Sequence, residues 1–435
     1  MKKKVPVVTV AEPEEAARLA ELPLEATLAL ADVAGAIKHG LLGFCADVGL
    51  VMMHRLMEAE LTERIGPKHA KLQDRDANWH GTTRGPVTLG GRKVSVKRPR
   101  GRTTQGTEVE LDTWAVFSSE DLLDQLVAER MLAGVATRRH VDVSEPLSEE
   151  LDEEARGMGK SAVSRRWKRA TEKAAAELMA RDLSGLEVAV VMIDGIEIAG
   201  QCCVAALLIT TDGKKIPVGL WLGDTENKTV VTNLLADLSA RGLSAEGGLL
   251  VVIDGAKALA AGVRKVFGDN ALVQRCTLHK RRNVKDHLPD ELAKTVDWRL
   301  SRAFANPDSD KGLDAARRLA RDLEADHPDA ATSLREGLEE MFTVRRLGVG
   351  GRLARTLTNT NCIESMISVA RRTMERVTRW KDGQMKKRWV AAGMLEAERS
   401  FRRVKGCKDM SILVTALRRQ AGVTDTPKKY ADEAA

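Results

Sequence analysis

Apolar and polar positions along this 435-residue chain change their period several times, and each change marks a boundary. From 13 to 65, Ala, Leu and Glu recur at helical spacing until Gly66-Pro67 breaks the pattern. Between 76 and 105 the text becomes Gly-rich and β-branched (GPVTLGGRKVSVKRPRGR). That predicts a hairpin leading into a basic extended arm, in which Pro99 forbids a helix. Helical spacing resumes at about 118. The stretch 144 to 182 reads as a helix, a short turn holding Gly157, Met158 and Gly159, and a second helix capped by Ser161. Arg165, Arg166, Lys168 and Arg169 sit on that second helix, the layout of a helix-turn-helix reading a major groove.

From 186 to 276 the period shortens to that of strands. LEVAVVMID, QCCVAALLIT and KKIPVGLWLG predict three strands, with Asp212-Gly213 turning the chain between the second and third. A helix (226 to 241), a buried strand (GLLVVID), a helix (256 to 267) and a short fifth strand (ALVQRC) follow. Three antiparallel strands followed by βαβ units form a mixed sheet covered by helices. This is the strand order of a ribonuclease H-like fold. The text from 285 to 350 is helical and charged, 362 to 404 is one long Arg-rich helix or two, and the chain from about 420 has the composition of a disordered tail. The expected division is an N-terminal helical region (1–75), a basic hairpin and arm (76–117), a helical region with the helix-turn-helix (118–183), the first part of an α/β core (184–285), an all-helical insertion (286–355), closing core helices (356–405) and a tail (406–435).

Composition narrows the function classes. The chain is long enough for two to four domains, and 43% apolar with 30% charged residues suits a soluble protein with buried cores. Aromatic residues make up only 3%, with a single Tyr, which argues against stacking platforms for single-stranded nucleic acid. A net charge of +7 and pI near 9.0 favour a polyanionic partner. The six cysteines form no CxxC pair and read as reduced thiols of a cytosolic protein. The start, MKKKVPVVTVAEPEE, is too short in apolar residues for a secretory signal. No run of about 18 apolar residues predicts a membrane span.

Chemistry concentrates in three places. Two predicted strands end alike, Val-Met-Ile-Asp194-Gly and Val-Val-Ile-Asp254-Gly. An Asp-Gly pair is by itself a turn signal. Here each Asp ends an apolar strand, so neighbouring strands would set two carboxylates around a shared cation, as Mg²⁺ prefers. Glu364, in the helix-opening text Asn361-Cys362-Ile363-Glu364, offers a third, although a first-turn glutamate also complements a helix dipole. Arg371 and Arg372 follow on its helical face and suit a passing phosphate backbone. Glu197 points to the opposite strand face from Asp194, and Asp224 and Glu226 read as caps. Cys276 and His279 could form half of a zinc site, though no second pair lies near; a packed Cys with a His beside the catalytic edge fits better. His279 precedes Lys280, Arg281 and Arg282 and is a candidate phosphate contact. So are Arg92, Lys93, Lys97, Arg98, Arg100 and Arg102 of the basic arm.

These segments resemble the mutator-type transposases of bacterial insertion sequences. The likeness lies in HGTTRGPVTLGGRKVSVKRPR, VMIDGIEI, VVIDGAKAL with QRCTLHKRRN, and NCIESMISVARRTMERVTRW running on to RWVAAGMLEAE. The loop GDTENKTVV lacks a Trp that many relatives carry, and Cys-Ile precedes Glu364 where others differ; both bear on subgroup and not on the acidic residues. The resemblance implies a ribonuclease H-like core with an all-helical insertion, preceded by a mainly helical DNA-binding region. It places three acidic ligands at Asp194, Asp254 and Glu364, and a Cys-x-x-His motif at Cys276 and His279. The expected cofactor is a pair of Mg²⁺ ions, with Mn²⁺ as a substitute. One would activate water, or later a DNA 3′-hydroxyl, and the other would stabilise the leaving oxygen. Expected partners are the double-stranded terminal inverted repeats and target DNA. A homodimer on DNA is also expected, with no membrane and no small-molecule cofactor, in the cytoplasm at the nucleoid. A transposase-derived regulator without catalysis, or a ribonuclease H-like nuclease that cuts without joining, are the alternatives.

Overall fold

The computed structural model describes residues 40–70, 76–89, 91–145, 147, 153, 155–223, 228–255 and 257–423. The chain divides into two compact units, Met1–Ala170 and Thr171–Ala435.

Among the described residues, the first element of the N-terminal unit is helix α1 (Gly40–Ile65). Its buried residues Met53, Met57, Leu61 and Ile65 recur every four positions and form one apolar stripe. Gly66, at φ 83°, ends it as the sequence predicts. That stripe packs on strands β1 (Ala77–Leu89) and β2 (Arg92–Thr103), an antiparallel hairpin with a bulge between Trp79 and Thr82. The basic stretch is therefore a strand and not an extended arm. Alternation explains the difference: Val94 and Val96 turn into the core while Lys93 and Lys97 turn outward. Helices resume earlier than expected, as α2 (Asp112–Ser118) and α3 (Glu120–Leu132).

Helix α4 (Lys160–Ala180) carries the basic residues of the expected helix-turn-helix, and it begins one residue before Ser161. The expected first helix falls largely on 146, 148–152 and 154, outside the described residues, as does the helical text of 13–39. Where the chain is described at Arg156 it is extended, exchanging backbone hydrogen bonds of 2.8 Å with Lys93 of β2.

In the C-terminal unit, β3 (Val188–Ile198), β4 (Gln201–Thr210), β5 (Lys215–Gly223), β6 (Leu249–Ile253) and β7 (Ala271–Arg275) form one sheet of order β5-β4-β3-β6-β7. β3, β4 and β5 are antiparallel, while β3, β6 and β7 run parallel. All five residues of β6 are buried, as a strand covered on both faces requires. Helices α5 (Lys228–Ala240) and α6 (Lys257–Phe267) bury Val231, Leu234, Leu238, Leu259 and Val263 against the sheet.

After β7 the chain is helical: α7 (Thr277–Lys285), α8 (Asp290–Ala305), α9 (Ser309–Asp322), α10 (Pro328–Arg335) and α11 (Thr343–Arg346). These build a separate core around Leu300, Phe304, Leu319 and Phe342. The buried Gln274 of β7 fastens it to the sheet. Its amide donates to the Met341 carbonyl at 2.9 Å and accepts from the Val344 amide at 2.9 Å. Helices α12 (Gly351–Leu357), α13 (Asn361–Met374) and α14 (Gly383–Arg399) follow, the Arg-rich text from 362 forming two helices. Residues 406–423 are not a tail: α15 (Met410–Gln420) buries Met410, Leu413 and Leu417. Residues 424–435 lie outside the described residues. No described helix is long and apolar enough to cross a membrane.

Candidate active site

The parallel pairing of β3 with β6 runs from Val190↔Leu250 to Ile193↔Ile253. Asp194 and Asp254 are the next residues on each strand, so the register sets them abreast at one edge of the sheet. Asp254 ends its strand as expected, but Asp194 does not: β3 continues against β4 as far as Ile198↔Gln201. Antiparallel pairing on its other side holds Asp194 within a strand, a firmer mounting than a turn. Gly255, at φ 143°, lets the chain leave the sheet immediately after Asp254. The Gly255 carbonyl accepts from the buried Arg275 guanidinium at 2.6 Å, and Arg275 also binds Glu340 of the insertion at 2.5 Å.

Glu364 comes from the first turn of α13, whose apolar face (Ile363, Met366, Ile367, Ala370) packs toward β3 and α14. Thr360 precedes that helix and is fully buried. A threonine at this position ordinarily accepts a backbone N–H. Here its hydroxyl donates to the Glu364 carboxylate at 2.6 Å and also lies 3.4 Å from Cys276 Sγ and 3.5 Å from His279 Nδ1. His279 Nε2 faces Glu364 Oε1 at 3.7 Å. Backbone bonds fix the frame: the Cys276 amide donates to the Ile253 carbonyl at 2.7 Å, and the Thr277 amide to the Thr358 carbonyl at 2.9 Å. The start of α7, the end of β6 and the approach to α13 are thereby tied together.

Like charge gathers here. Burial, with the charges of Asp254 and Glu364 adding to it, pushes the Asp194 carboxyl up to about 6. The Gly195 amide, 2.9 Å away, and His279 oppose that rise without cancelling it. The hydrogen bond with Cys276 pushes the His279 imidazole up to about 9 against its burial, with Glu364 and Asp194 adding. Burial would raise the Cys276 thiol, yet its bonds with His279 and Thr360 bring it below the usual range. Asp254 and Glu364 both lie near enough to Asp194 for their charges to be felt there, and carboxylate oxygens are the donors that hard divalent cations prefer. Cys276, His279 and Glu364 bring their donor atoms within 4.8 Å of one another, so Glu364 stands where the two sets meet.

Residues 24–403 match the family model described as transposase, Mutator family. The chain belongs to the Mutator family of transposases. The transposase of insertion sequence element IS256 in transposon Tn4001 from Staphylococcus aureus is 26% identical over 332 residues, 74% of this chain and 81% of that protein. A probable insertion-sequence transposase of Corynebacterium diphtheriae is 26% identical over 49% of this chain and 62% of its own. The transposase of element ISRM5 from Rhizobium meliloti is 26% identical over 69% and 75%.

The candidate DNA contacts of this transposase fare unequally. Arg92 is buried, its guanidinium donating to the Glu145 carbonyl at 2.9 Å, and Arg166 is buried against Asp124 at 2.6 Å. Neither is presented to solvent. Arg98 and Arg100 share Glu108 at 2.7 and 3.0 Å, and Arg169 reaches Asp124 at 2.9 Å. Lys97, Arg102, Arg165, Lys168, Arg169, Arg371 and Arg372 lie exposed, and Lys93 half-buried. His279 turns both ring nitrogens inward, so it belongs to the carboxylate cluster. Glu197 is exposed further along β3, and Asp224 and Glu226 lie outside the described residues. Sequence reading missed Thr360 and Arg275. The spacing Thr360-x-x-x-Glu364 was the available signal for the first; nothing local marks the second.

Proposed function

We propose that this transposase binds the terminal inverted repeats of an insertion sequence, nicks the DNA ends and joins the freed 3′-hydroxyl to target DNA. The carboxylates of Asp194, Asp254 and Glu364 would hold two Mg²⁺ ions, or Mn²⁺ in their place. When bound, these ions supply Lewis acidity at the scissile phosphate. The observation that carries the reading is the β3–β6 register, which sets Asp194 and Asp254 abreast, with the Glu364 helix packed on β3. The strand order β5-β4-β3-β6-β7, with a helical insertion between β7 and α13, supports a ribonuclease H-like core.

Within this reading the sheet edge holds Asp194 and Asp254 rigidly, and Thr360 orients Glu364 toward them. His279 places positive charge beside Glu364, where a DNA phosphate would approach. A bound cation would favour the ionised form of Asp194, offsetting the like charges of Asp254 and Glu364. The N-terminal unit recognises the inverted repeats through its exposed cations. Two ends must be paired, so the working form is a dimer on DNA, in the cytoplasm at the nucleoid.

The test is Mg²⁺-dependent nicking and strand transfer on a labelled insertion-sequence end, with Asp194→Ala, Asp254→Ala and Glu364→Ala beside the parent protein. Each variant is expected to bind the end and to lose both reactions by about 10³-fold or more. Near-normal activity in any variant would reduce that residue to a structural turn or cap. End binding without any nicking by the parent protein would mark a non-catalytic regulator, and nicking without joining a nuclease.

A further inference from the structure

The flank of α13 next to Glu364 opens into a concavity of about 820 Å³ that no part of the proposed chemistry uses. Six cations line it: Lys215 from the start of β5, Arg352 and Arg355 from α12, and Arg402, Arg403 and Lys405 from the segment after α14. No carboxylate lines it. Among the described residues, Asp212 alone comes within ion-pair reach of any of the six, lying 3.1 Å from Arg403.

The segment that brings these charges together is firmly docked. The buried Val404 donates its amide to the Gly213 carbonyl at 2.9 Å, and Thr356 Oγ1 donates to the Lys405 carbonyl at 3.1 Å. Gly406, at φ 86°, lies so close to α12 that an added Cβ would stand 2.4 Å from the Leu353 nitrogen. Holding six like charges together on a rigid frame opposes folding unless a polyanion offsets it. The lining has no aromatic ring on which bases could stack. Asn361 and Ser365, both exposed on the first turns of α13, add neutral polar groups of the kind that meet phosphate oxygens.

We propose that this basic concavity seats the sugar-phosphate backbone of the duplex DNA flanking the scissile phosphate, gripping it without reading its bases. The proposal rests on the reading of Asp194, Asp254 and Glu364 as the cutting site for its position along the DNA, though not for its affinity. Asn361, Cys362 and Ser365 border the concavity while Glu364, between them in sequence, turns to Thr360 and His279. A DNA strand passing Glu364 on that side of α13 would enter the concavity.

The experiment measures binding of the full chain to two duplexes of equal length in EDTA, across a range of KCl concentrations. One duplex carries an insertion-sequence end with flanking DNA, and the other is random in sequence. EDTA removes any dependence on the carboxylates, so failure of the cutting-site reading would leave this outcome untouched. Arg352→Ala/Arg355→Ala and Arg402→Ala/Arg403→Ala are made as separate pairs, so that one informs if the other misfolds. Arg318→Ala/Arg321→Ala on α9 removes the same charge elsewhere. Each concavity pair is expected to weaken both duplexes about tenfold at near-physiological salt and to lower the slope of log affinity against log salt by about 2. The α9 pair is expected to change neither. Unaltered slopes in the concavity pairs, an equal fall in the α9 pair, or a loss confined to the end sequence would each overturn the proposal.

Discussion

The two units of this transposase handle charge in opposite ways. The N-terminal unit pairs several of its arginines: Arg166 and Arg169 close on Asp124, Arg98 and Arg100 on Glu108, and Arg64 on Glu60 and Asp112. The C-terminal unit pairs much of its surface charge too, but in two adjoining places it segregates charge. At the ends of β3 and β6, Asp194 feels the charges of Asp254 and Glu364, and six cations line the concavity beside α13. Pairing stabilises a fold, whereas segregation opposes it and makes sense where a ligand supplies the missing sign. Density of arginine along the sequence did not separate the two situations. The partners of each arginine do.

The largest effect should come from breaking a pair in the N-terminal unit. Arg166 is buried and Asp124 nearly so, at 2.6 Å. Asp124→Ala leaves a buried guanidinium without its carboxylate, and about 3–5 kcal/mol of stability should be lost in denaturant unfolding of that unit. The matching truncation in the concavity, Arg402→Ala, removes an exposed charge from a like-charged group and should cost under about 0.5 kcal/mol. Equal costs for the two would erase the contrast.

Neutralising one member of the carboxylate cluster should do the reverse. Asp194 has a folded pKa raised to about 6 from 3.8. A raised carboxyl contributes its stability in full below the unfolded value and loses it as pH rises through the folded value. In EDTA at pH 7, Asp194→Asn should therefore be more stable than the parent by about 2 kcal/mol. The gap should close as pH falls from 6 toward 4. Adding Mg²⁺ should raise the melting temperature of the parent and leave the variant almost unmoved. A variant less stable than the parent at pH 7 would show that the cluster is not under electrostatic load.

A smaller effect attends Glu108→Gln. The carboxylate bridges Arg98 and Arg100 in a half-buried setting, so its loss should cost about 1–2 kcal/mol. The same change frees two guanidinium groups from their shared counter-charge. Tighter binding to random duplex would show that pairing alone keeps these strand cations off DNA; unchanged binding would show that they face elsewhere.

Much of the C-terminal unit was legible because its strands are written in unbroken apolar runs. LLVVI has one reading between its flanking turns, and the meander followed by βαβ units fixed the strand order. Asp194 and Asp254 were legible for the same reason, each following an apolar run that had to be buried. The hairpin was half legible: alternation at Val94 and Val96 predicts a strand, but the crowd of cations suggested an arm. Glu108, which takes up Arg98 and Arg100 of the hairpin, and Asp124, which takes up Arg166 and Arg169 of α4, are announced by no local pattern. The basic concavity was invisible because its lining comes from four separated segments, from Lys215 to Lys405. Long-range assembly of that kind leaves no period in the sequence.

Thr360 gives the finest test, because its neutral hydroxyl supports Glu364 directly. Its hydroxyl donates to Glu364 while being fully buried, so it should hold the carboxylate in one orientation toward Asp194 and Asp254. Thr360→Val keeps the shape and deletes that donor. On the proposed function, about a tenfold fall in the nicking rate at saturating DNA is expected, equivalent to about 1.4 kcal/mol. The DNA concentration for half-maximal rate should stay near that of the parent, since the hydroxyl touches Glu364 and not the concavity. Thr360→Ser restores the donor without the methyl group and should recover most of the rate. A general loosening of α13 would lower the rate in both variants alike, so it is the split between Val and Ser that assigns the hydroxyl its part. If the Val variant nicks as fast as the parent, Glu364 is held by the helix backbone alone.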